Sequence, residues 1–164
     1  MAFDSFLKID GIPGESTDDK HKDWIEIMSY SHGLSQPSTG SVSSGGARSA
    51  ERCDHQDFSI VKTLDKASPL LALHCCNGKH IPKITLELCR ATGDKQLYMK
   101  YEFTNTIVSS VRPGGSSRGG ESLPLEEVAF SYSKIEWVYT ETGKDGKPKG
   151  NVKTHWDLTT NKGG

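Results

Sequence analysis

The feature that most constrains the fold is an alternation of apolar and polar residues with a period of two. It is clearest in the segment 96–111, QLYMKYEFTNTIVSSV. One side carries Leu97, Met99, Tyr101 and Phe103, and the other carries Tyr98, Lys100, Glu102 and Thr104. Because successive side chains of a strand point to opposite faces, this pattern predicts a long strand with one buried face.

The segment 128–139, VAFSYSKIEWVY, alternates in the same way but changes phase along its length. Its apolar positions are Val128, Phe130 and Tyr132, followed by Ile135, Trp137 and Tyr139. A strand keeps such residues on one face only if its backbone bends or gains a residue between the two groups. We therefore expect a β-bulge or a bend near Ser133 and Lys134.

Five further segments alternate more weakly, which brings the total to about seven strands. These segments are AFDSFLKI, DWIEIMSYSHGLSQ, DFSIVKTL, PKITLELCRA and VKTHWDLTT. The link 141–151, ETGKDGKPKGN, has the turn chemistry of an elongated hairpin. This number of strands predicts a mostly β sandwich or barrel, and the length of 164 residues predicts a single domain over 1–164.

One segment, SPLLALHCCNG, predicts a helix. Ser68 suits the N-cap, Pro69 suits the first helical position, and Gly78 suits a left-handed C-terminal cap. We expect the helix to run from Pro69 to Asn77. Its packed side should carry the residues that share one helical face, which are Leu70, Leu73, Cys76 or Asn77, widened by Leu71 and Cys75.

The same segment holds four residues that can bind metals, namely His74, Cys75, Cys76 and His80. Adjacent cysteines on a helix point about 100° apart, and a break at Gly78 separates Cys76 from His80. We therefore expect no metal site and no cofactor. The cysteines are interpreted as small residues that fill space.

The sequence offers no convincing catalytic motif. Its one G-x-S-x-G string, GSSRG at 115–119, lies within a glycine-rich segment with no predicted helix after it, so it does not have the setting of a nucleophile elbow. The G-K-[ST] ending of a phosphate-binding loop does not occur. All histidines except His74 are interpreted as surface residues, namely His21, His32, His55, His80 and His155. We expect no catalytic residues and no enzymatic activity.

Charge and hydropathy exclude two classes of partner. With 20 basic and 21 acidic residues the net charge is -1, which gives no general attraction to nucleic acid or to an anionic bilayer. No segment approaches the ~20 apolar residues needed to cross a membrane, and the start of the chain lacks the pattern of a signal peptide. We expect synthesis in the cytoplasm, which leaves export by a signal-independent route open.

Two long glycine-rich segments, 36–52 and 112–122, read QPSTGSVSSGGARSAER and RPGGSSRGGES. Compact domains rarely contain connections of this length without a function, and such loops often contact partners.

Several strings occur in an order that resembles the Hcp (hemolysin-coregulated protein) family, the tube proteins of bacterial type VI secretion. They are KIDGIPGES, SHGLSQ, FSIVKTLDKASPLL, GKHIP and KIEWVY. Each string is short, but the resemblance covers nearly the whole chain, from Ala2 to about Asp157.

The resemblance implies two antiparallel sheets closed into a small β-barrel, with one short α-helix packed outside. It also implies a homo-hexameric ring, stacking of rings into a tube, and contacts with the spike protein and contractile sheath of the secretion apparatus. Effector proteins would travel in the ring lumen, and no reaction would be catalysed. A β-barrel that binds carbohydrate or peptide is the alternative.

Two sets of residues are candidates for these roles. The family has an extended arm at the first glycine-rich loop, so the candidate ring-stacking residues are Ser41, Val42, Ser43, Ser44, Gly45, Gly46, Ala47 and Arg48. The alternation in EIMSYSHG puts Ser29 and Ser31 on one side, opposite Met28, Tyr30 and His32. We expect the two serines to face the lumen and contact cargo, with a plain solvent-facing role as the alternative.

Overall fold

The fold is mostly β with one short helix. The computed structural model describes residues 2–39, 49–50, 52–118 and 123–164. Within these residues the strands are β1 (Phe3–Ile9), β2 (Ile25–Glu26), β3 (Ser29–Ser31), β4 (Leu34–Ser35), β5 (Ser38–Thr39), β6 (Ser49–Ala50), β7 (Asp54–His55), β8 (Phe58–Thr63), β9 (Ile81–Arg90), β10 (Leu97–Gly114), β11 (Leu125–Thr142), β12 (Pro148–Asp157) and β13 (Lys162–Gly163). The helix, α1, is Ser68–Asn77.

The two strongest alternating segments form the two longest strands, β10 and β11, which pair antiparallel along their length. Phe103 of β10 lies opposite Ile135 of β11, and both are buried. Directly paired residues of an antiparallel ladder face the same side, so the apolar positions of the two strands combine into one surface. The predicted long, half-buried strand is confirmed.

The expected change of phase is confirmed in the burial pattern of β11, but no shift of register accompanies it. Tyr132 and Ile135 are both buried, with half-buried Ser133 and Lys134 between them. The ladder keeps the same register on either side of this point, and across from it Asn105 has a positive φ of 51°. The register shift of this strand pair occurs elsewhere, between Val108 and Ser110 of β10.

The hairpin between β11 and β12 is the one that the turn residues of segment 141–151 predicted. The Gly143 N–H donates to the Lys147 carbonyl at 2.8 Å, and the Gly146 N–H donates to the Gly143 carbonyl at 3.0 Å. Gly146 has a φ of 78°, a left-handed conformation that a glycine adopts without strain.

Two antiparallel sheets share the long strands. The first half of β11 lies between β10 and β8, and β8 also pairs with β3. The second half lies between β10 and β12, and the sheet continues from β10 through β9 and β1 to β2. The short pairs β4–β7 and β5–β6 lie outside these sheets. Between the sheets, the rings of Phe58 and Phe103 stack with centroids 4.4 Å apart.

The structure shows no closed barrel, so the predicted closure is not confirmed. The outermost strands β2 and β3 are neighbours in sequence, yet the first pairs only with β1 and the second only with β8 among the described strands. The residues that connect them bond to both sides. The Ile27 N–H donates to the Ser5 carbonyl at 3.3 Å, and the Met28 N–H donates to the Val61 carbonyl at 2.7 Å. The arrangement is therefore closer to a sandwich.

The helix has the predicted C-terminal end but a different N-terminal end. Gly78 adopts the left-handed conformation with a φ of 64°, and Ala67 occupies the N-cap without a side-chain hydrogen bond. Ser68 is the first helical residue, and its hydroxyl accepts from the Asp65 N–H at 3.1 Å and donates to Glu126 at 2.7 Å. The prediction of Ser68 as the N-cap was wrong because this hydroxyl is bound to the sheet.

The buried side of the helix also differs from the prediction. Leu71 and His74 are its buried residues, and they are three positions apart on the side that packs against β10. His74 Nδ1 donates to the Leu70 carbonyl at 2.7 Å, which satisfies a polar atom inside the fold. Leu73 is 54% exposed, and Cys76 and its alternative Asn77 are exposed as well, so the predicted broad stripe was wrong for these residues.

His21 was predicted at the surface and is buried instead. Its ring stacks on Phe6 with centroids 4.1 Å apart. Nδ1 lies 2.7 Å from an Asp18 oxygen and Nε2 lies 2.6 Å from a Glu87 oxygen. Lys95 bonds the other oxygen of Asp18. These contacts attach the loop before β2 to β9 and to the link that follows it.

Candidate functional site

Four strands present one face composed mainly of small residues. The strands run in the order β3, β8, β11 and β10, and this face is the one directed away from the core. Direct pairing places Ser31 beside Ser59, Ser59 beside Ala129, and Ala129 beside Ser110. This row crosses the sheet without a large side chain. We call these residues and the next row the serine face.

The second row of the serine face lies two residues along each strand. Ser29 pairs with Val61, Val61 with Glu127, and Glu127 with Arg112. Glu127 and Arg112 are exposed and opposite in charge, so the row has no net charge. The serine face thus offers hydroxyl groups and a single pair of opposite charges.

The opposite side of the same strands belongs to the core. Ile60 and Val128 are fully buried, and Tyr30 packs against the core from β3. Ser29 and Ser31 are exposed, as the alternation predicted. Met28 was placed on the side of Tyr30, but it is exposed, because the chain turns between β2 and β3 before the alternation begins.

The sequence indicated two residues of the serine face and missed the rest of it. Ser59 and Val61 alternate with buried Phe58, Ile60 and Lys62 in β8. The alternation of exposed and buried residues was visible in the segment DFSIVKTL. The sequence did not show which strands lie next to β8, because strand pairing depends on the whole topology. The candidate ring-stacking residues 41–48 lie outside the described residues.

Serine hydroxyls can donate and accept hydrogen bonds with many polar groups, and Glu127 and Arg112 add one charge of each sign. Neither row contains a histidine or a cysteine. Across 2–39, 49–50, 52–118 and 123–164, no three His, Cys, Asp or Glu side chains gather as metal ligands. The chemistry of the serine face is therefore that of a contact surface.

A polar cluster lies at the end of β3. The Tyr132 hydroxyl is 2.6 Å from His32 Nε2 and 2.8 Å from His55 Nδ1. A phenol can donate to one imidazole nitrogen and accept from the N–H of another, so it can join two neutral rings. Burial lowers the pKa of both histidines, and the neighbouring His55 lowers that of His32 further. Burial also raises the pKa of Tyr132. The cluster connects the strand that carries Ser29 and Ser31 to the base of the first glycine-rich loop.

A cavity of about 700 Å³ lies beside this cluster. It is lined on one side by Trp137, Thr154 and Trp156 from β11 and β12, and on the other by Leu34, Cys53 and His55. The alternation marked Trp137 as apolar, but no sequence pattern indicated a concave surface there.

Comparison with known proteins identifies relatives over nearly the whole chain. The family model described as "Type VI secretion system effector, Hcp" matches residues 6–139. "Protein hcp1" of Pseudomonas aeruginosa is 37% identical over 163 residues, which covers 98% of each chain. No helix in the described part of the chain is long and apolar enough to span a membrane.

Solved structures agree with these sequence relatives. A structure described as "Structure of a type six secretion system protein" superposes with a TM-score of 0.92 at 34% identity, covering 99% of this chain and 100% of that chain. The crystal structure of Hcp1 from Salmonella typhimurium superposes with a TM-score of 0.79 at 36% identity, covering 99% of each chain. The chain therefore belongs to the Hcp family, the tube proteins of type VI secretion.

Proposed function

We propose that this chain is the repeating subunit of a type VI secretion tube, forming hexameric rings that stack. The observation that carries the proposal is the match of fold and sequence over almost the full chain to Hcp proteins. A ring needs a head-to-tail contact that closes, and a tube needs a second contact that does not close. The role is structural, without catalysis, and the small-residue chemistry of the serine face agrees with it.

The serine face is the surface that we assign to the ring lumen. A lumen that transports different proteins needs weak polar contacts and little bulk, and the row from Ser31 to Ser110 has both properties. A contiguous exposed hydrophobic surface would instead be typical of a protein–protein interface. Effector proteins are therefore the proposed partners of Ser29 and Ser31.

The remaining partners follow from the family. Residues 41–48 are proposed to contact the next ring, and the ends of the tube to meet the spike and the surrounding contractile sheath. The chain would be synthesised in the cytoplasm and leave the cell through the secretion apparatus. The alternative, a module that binds carbohydrate or peptide, is not favoured because the relatives are Hcp proteins.

Electron microscopy of the purified protein tests the ring. We expect annular particles of uniform size in negative stain and a sixfold multiple of the 17.9 kDa subunit mass in native mass spectrometry. A protein that stays monomeric at high concentration would contradict the proposal. Deletion of residues 41–48 should leave rings intact and prevent their stacking.

Cargo capture tests the lumen assignment. Ser31→Gln adds a long side chain to the serine face and should reduce recovery of co-expressed effectors while rings still form. Thr104→Gln is the matched control, because Thr104 is an exposed strand residue of β10 in the other sheet. Equal recovery of effectors by wild type and Ser31→Gln rings would contradict the assignment.

A further inference from the structure

The proposed tube gives no role to the cavity of about 700 Å³ beside the histidine cluster. We call it the tryptophan cavity, because Trp137 and Trp156 line it from the sheet. Sites for small molecules have volumes of about 300–1,000 Å³, with mostly apolar walls and a few polar groups that fix the orientation of the ligand. The tryptophan cavity has the volume of such a site, and its walls contain both kinds of group.

The two tryptophans form an aromatic floor. Ile135 of β11 pairs with Trp156 of β12, and two residues further along β11 Trp137 pairs with Thr154. Trp137 and Trp156 are therefore diagonal neighbours on one side of the sheet, close enough for both rings to border one space. Both are half-buried and pack against the core, so each ring is supported from below and keeps part of its surface open.

The backbone of Gly163 fixes the second of these rings. Gly163 pairs with Trp156 in the ladder between β12 and β13. A Cβ atom at Gly163 would lie 2.6 Å from the Cε3 atom of Trp156, so the contact requires a glycine. Because the ring is already held in place, a ligand that stacks on it does not have to order it, and less conformational entropy is lost on binding.

The opposite wall carries a positive charge. Arg52 lines the cavity, is exposed, and takes part in no ion pair within the described part of the chain. The described lining includes no Asp or Glu side chain. Glu136 precedes Trp137 in β11, but it belongs to the other side of the strand and pairs with Lys153 at 3.4 Å. The guanidinium group is thus available to bind an anion.

His55 supplies a second donor to the same cavity. Its Nδ1 lies 2.8 Å from the Tyr132 hydroxyl, which lies 2.6 Å from His32 Nε2. When His32 donates to the phenol oxygen and the phenol donates to His55 Nδ1, the proton of neutral His55 is on Nε2. Burial lowers the pKa of His55, which favours the neutral ring. This Nε2–H has no acceptor among the described residues.

We propose that the tryptophan cavity binds a small planar aromatic anion. The ring of the ligand lies against Trp137 and Trp156, and its carboxylate or sulfonate accepts hydrogen bonds from Arg52 and His55. Stacking and the burial of apolar area favour the ring, and a charge-assisted bond to a guanidinium group favours the anion. Arg52 would repel a cation. The inference goes beyond the proposed tube and does not depend on it.

The ligand 2-naphthoate tests the proposal, since it combines a planar ring system with a carboxylate. Isothermal titration calorimetry of the purified protein should show one site per subunit. The amide 2-naphthamide has the same rings without the charge, and cyclohexanecarboxylate has the charge without an aromatic ring. Each should bind at least about tenfold more weakly. Equal affinity for 2-naphthoate and either control, or no binding at about 1 mM 2-naphthoate, would overturn the proposal.

Arg52→Gln tests the anion-binding wall. It should weaken the binding of 2-naphthoate at least about tenfold and leave the affinity for 2-naphthamide unchanged, because it removes the charge and keeps the aromatic floor. Arg118→Gln is the matched control, since Arg118 is an exposed arginine of the second glycine-rich segment and does not line the cavity. It should bind as wild type does. The same loss in both variants, or in neither, would contradict the role of Arg52.

Fluorine NMR of protein labelled with fluorotryptophan locates the ligand. The chain has three tryptophans, and Trp24 lies outside the cavity, with its ring edge-on to His21. Addition of 2-naphthoate should shift the resonances of Trp137 and Trp156 and leave that of Trp24 in place. Single tryptophan-to-phenylalanine variants assign the three resonances. A shift of Trp24 alone, or no shift of Trp137 and Trp156 when calorimetry detects binding, would place the ligand elsewhere and overturn the inference.

Discussion

The ammonium group of Lys62 lies 2.7 Å from Glu126 Oε2, and both side chains are almost completely buried. Lys62 also donates to Asp65 at 2.8 Å and to the Ser68 hydroxyl at 3.1 Å. The core side of β8 therefore ends in a charged residue, Lys62. Its ammonium group donates hydrogen bonds to β11 and to the residues at the start of α1. This contact attaches the helix to the smaller sheet.

Breaking the pair should be costly. Lys62→Ala or Glu126→Ala leaves one buried charge without its main partner, and each should lower the free energy of unfolding by about 3–5 kcal/mol. Urea denaturation at pH 7 measures this. The double variant Lys62→Met, Glu126→Leu removes both charges and should recover most of the loss. A double variant less stable than either single variant would contradict the role of the charges.

Asp18 should make the protein sensitive to strong acid. Its hydrogen bonds with Lys95 and His21 lower the pKa of the carboxyl from 3.8 to about 2. The folded state thus favours the carboxylate, and the resulting stability is complete above pH 3.8 and is lost as the pH falls towards 2. Asp18→Asn should lower stability by about 1–3 kcal/mol at pH 7 and have little effect near pH 2.

The control for that prediction is Asp19→Asn, which changes the neighbouring exposed carboxylate. It should leave the dependence of urea midpoint on pH as in wild type. An Asp18→Asn protein with the same loss of stability at both pH values would show that the carboxylate charge is not the cause.

The two histidines on Tyr132 should produce a second, milder pH dependence. Burial lowers the pKa of His32 and His55 below 6.5 in the folded state. Because the unfolded chain then binds protons more readily, stability is complete above pH 6.5 and decreases as the pH falls below it. The double variant His32→Gln, His55→Gln should flatten the curve of Tm against pH between 8 and about 5.

His80→Gln is the matched control, since His80 is exposed and lies outside this cluster. Tyr132→Phe provides a second measurement. It leaves both imidazoles without their shared partner and should lower stability by about 1–3 kcal/mol at pH 8. A wild-type Tm that is constant across this pH range would contradict the prediction.

The four cysteines should differ in reactivity. All are free thiols, with Cys76 exposed and Cys89 buried. Burial, together with the charges of Glu87 and Asp18, raises the pKa of the Cys89 thiol to about 11, so it has little thiolate at neutral pH. A maleimide at pH 7 should label Cys76 quickly and Cys89 only in denaturant, as mass spectrometry of peptides can measure.

Alanine substitutions should distinguish the two adjacent cysteines, Cys75 and Cys76, by their effect on stability. Cys76→Ala should leave stability unchanged, and Cys75→Ala should cost about 1 kcal/mol because Cys75 packs against the core. Neither change should affect ring formation or metal content. Stoichiometric zinc in the purified protein that disappears in the double alanine variant would contradict the space-filling interpretation.

Local patterns predicted the elements of this fold well. The period of two in 96–111 and 128–139 identified β10 and β11, including the change of phase at Ser133 and Lys134, because each residue's face depends only on its neighbours in sequence. Gly78 marked the end of α1 for a similar reason, since the left-handed conformation favours glycine locally.

The errors came from interactions between distant segments. The helix buries Leu71 and His74 rather than Leu73 because β10 lies on that side, and the sequence does not indicate which side the sheet will take. His21 is buried because Asp18 and Glu87 satisfy both ring nitrogens, and Glu87 is 66 positions away. The predicted closure into a barrel was a similar error, because closure depends on which strands pair with each other, and the sequence does not show this.

In the candidate site, too, the local pattern was predicted from the sequence and the contacts between distant strands were not. Alternation placed Ser29 and Ser31 on the exposed side of β3, which the structure confirms. Their neighbours Ser59 and Ala129 come from strands far along the chain, so the serine face emerges only from the pairing of β3, β8 and β11. Tyr139 and Val152 show the opposite case, since they have the strand parity of core residues and are exposed.

Strand β11 pairs with β8 over its first half and with β12 over its second half, while β10 accompanies it along both. A force applied to one sheet therefore reaches the other through covalent backbone as well as through side-chain contacts. In the proposed tube, such a subunit would resist shear between its sheets until whole rows of hydrogen bonds break together. Mechanical strength along the subunit is in this way a consequence of one uninterrupted strand.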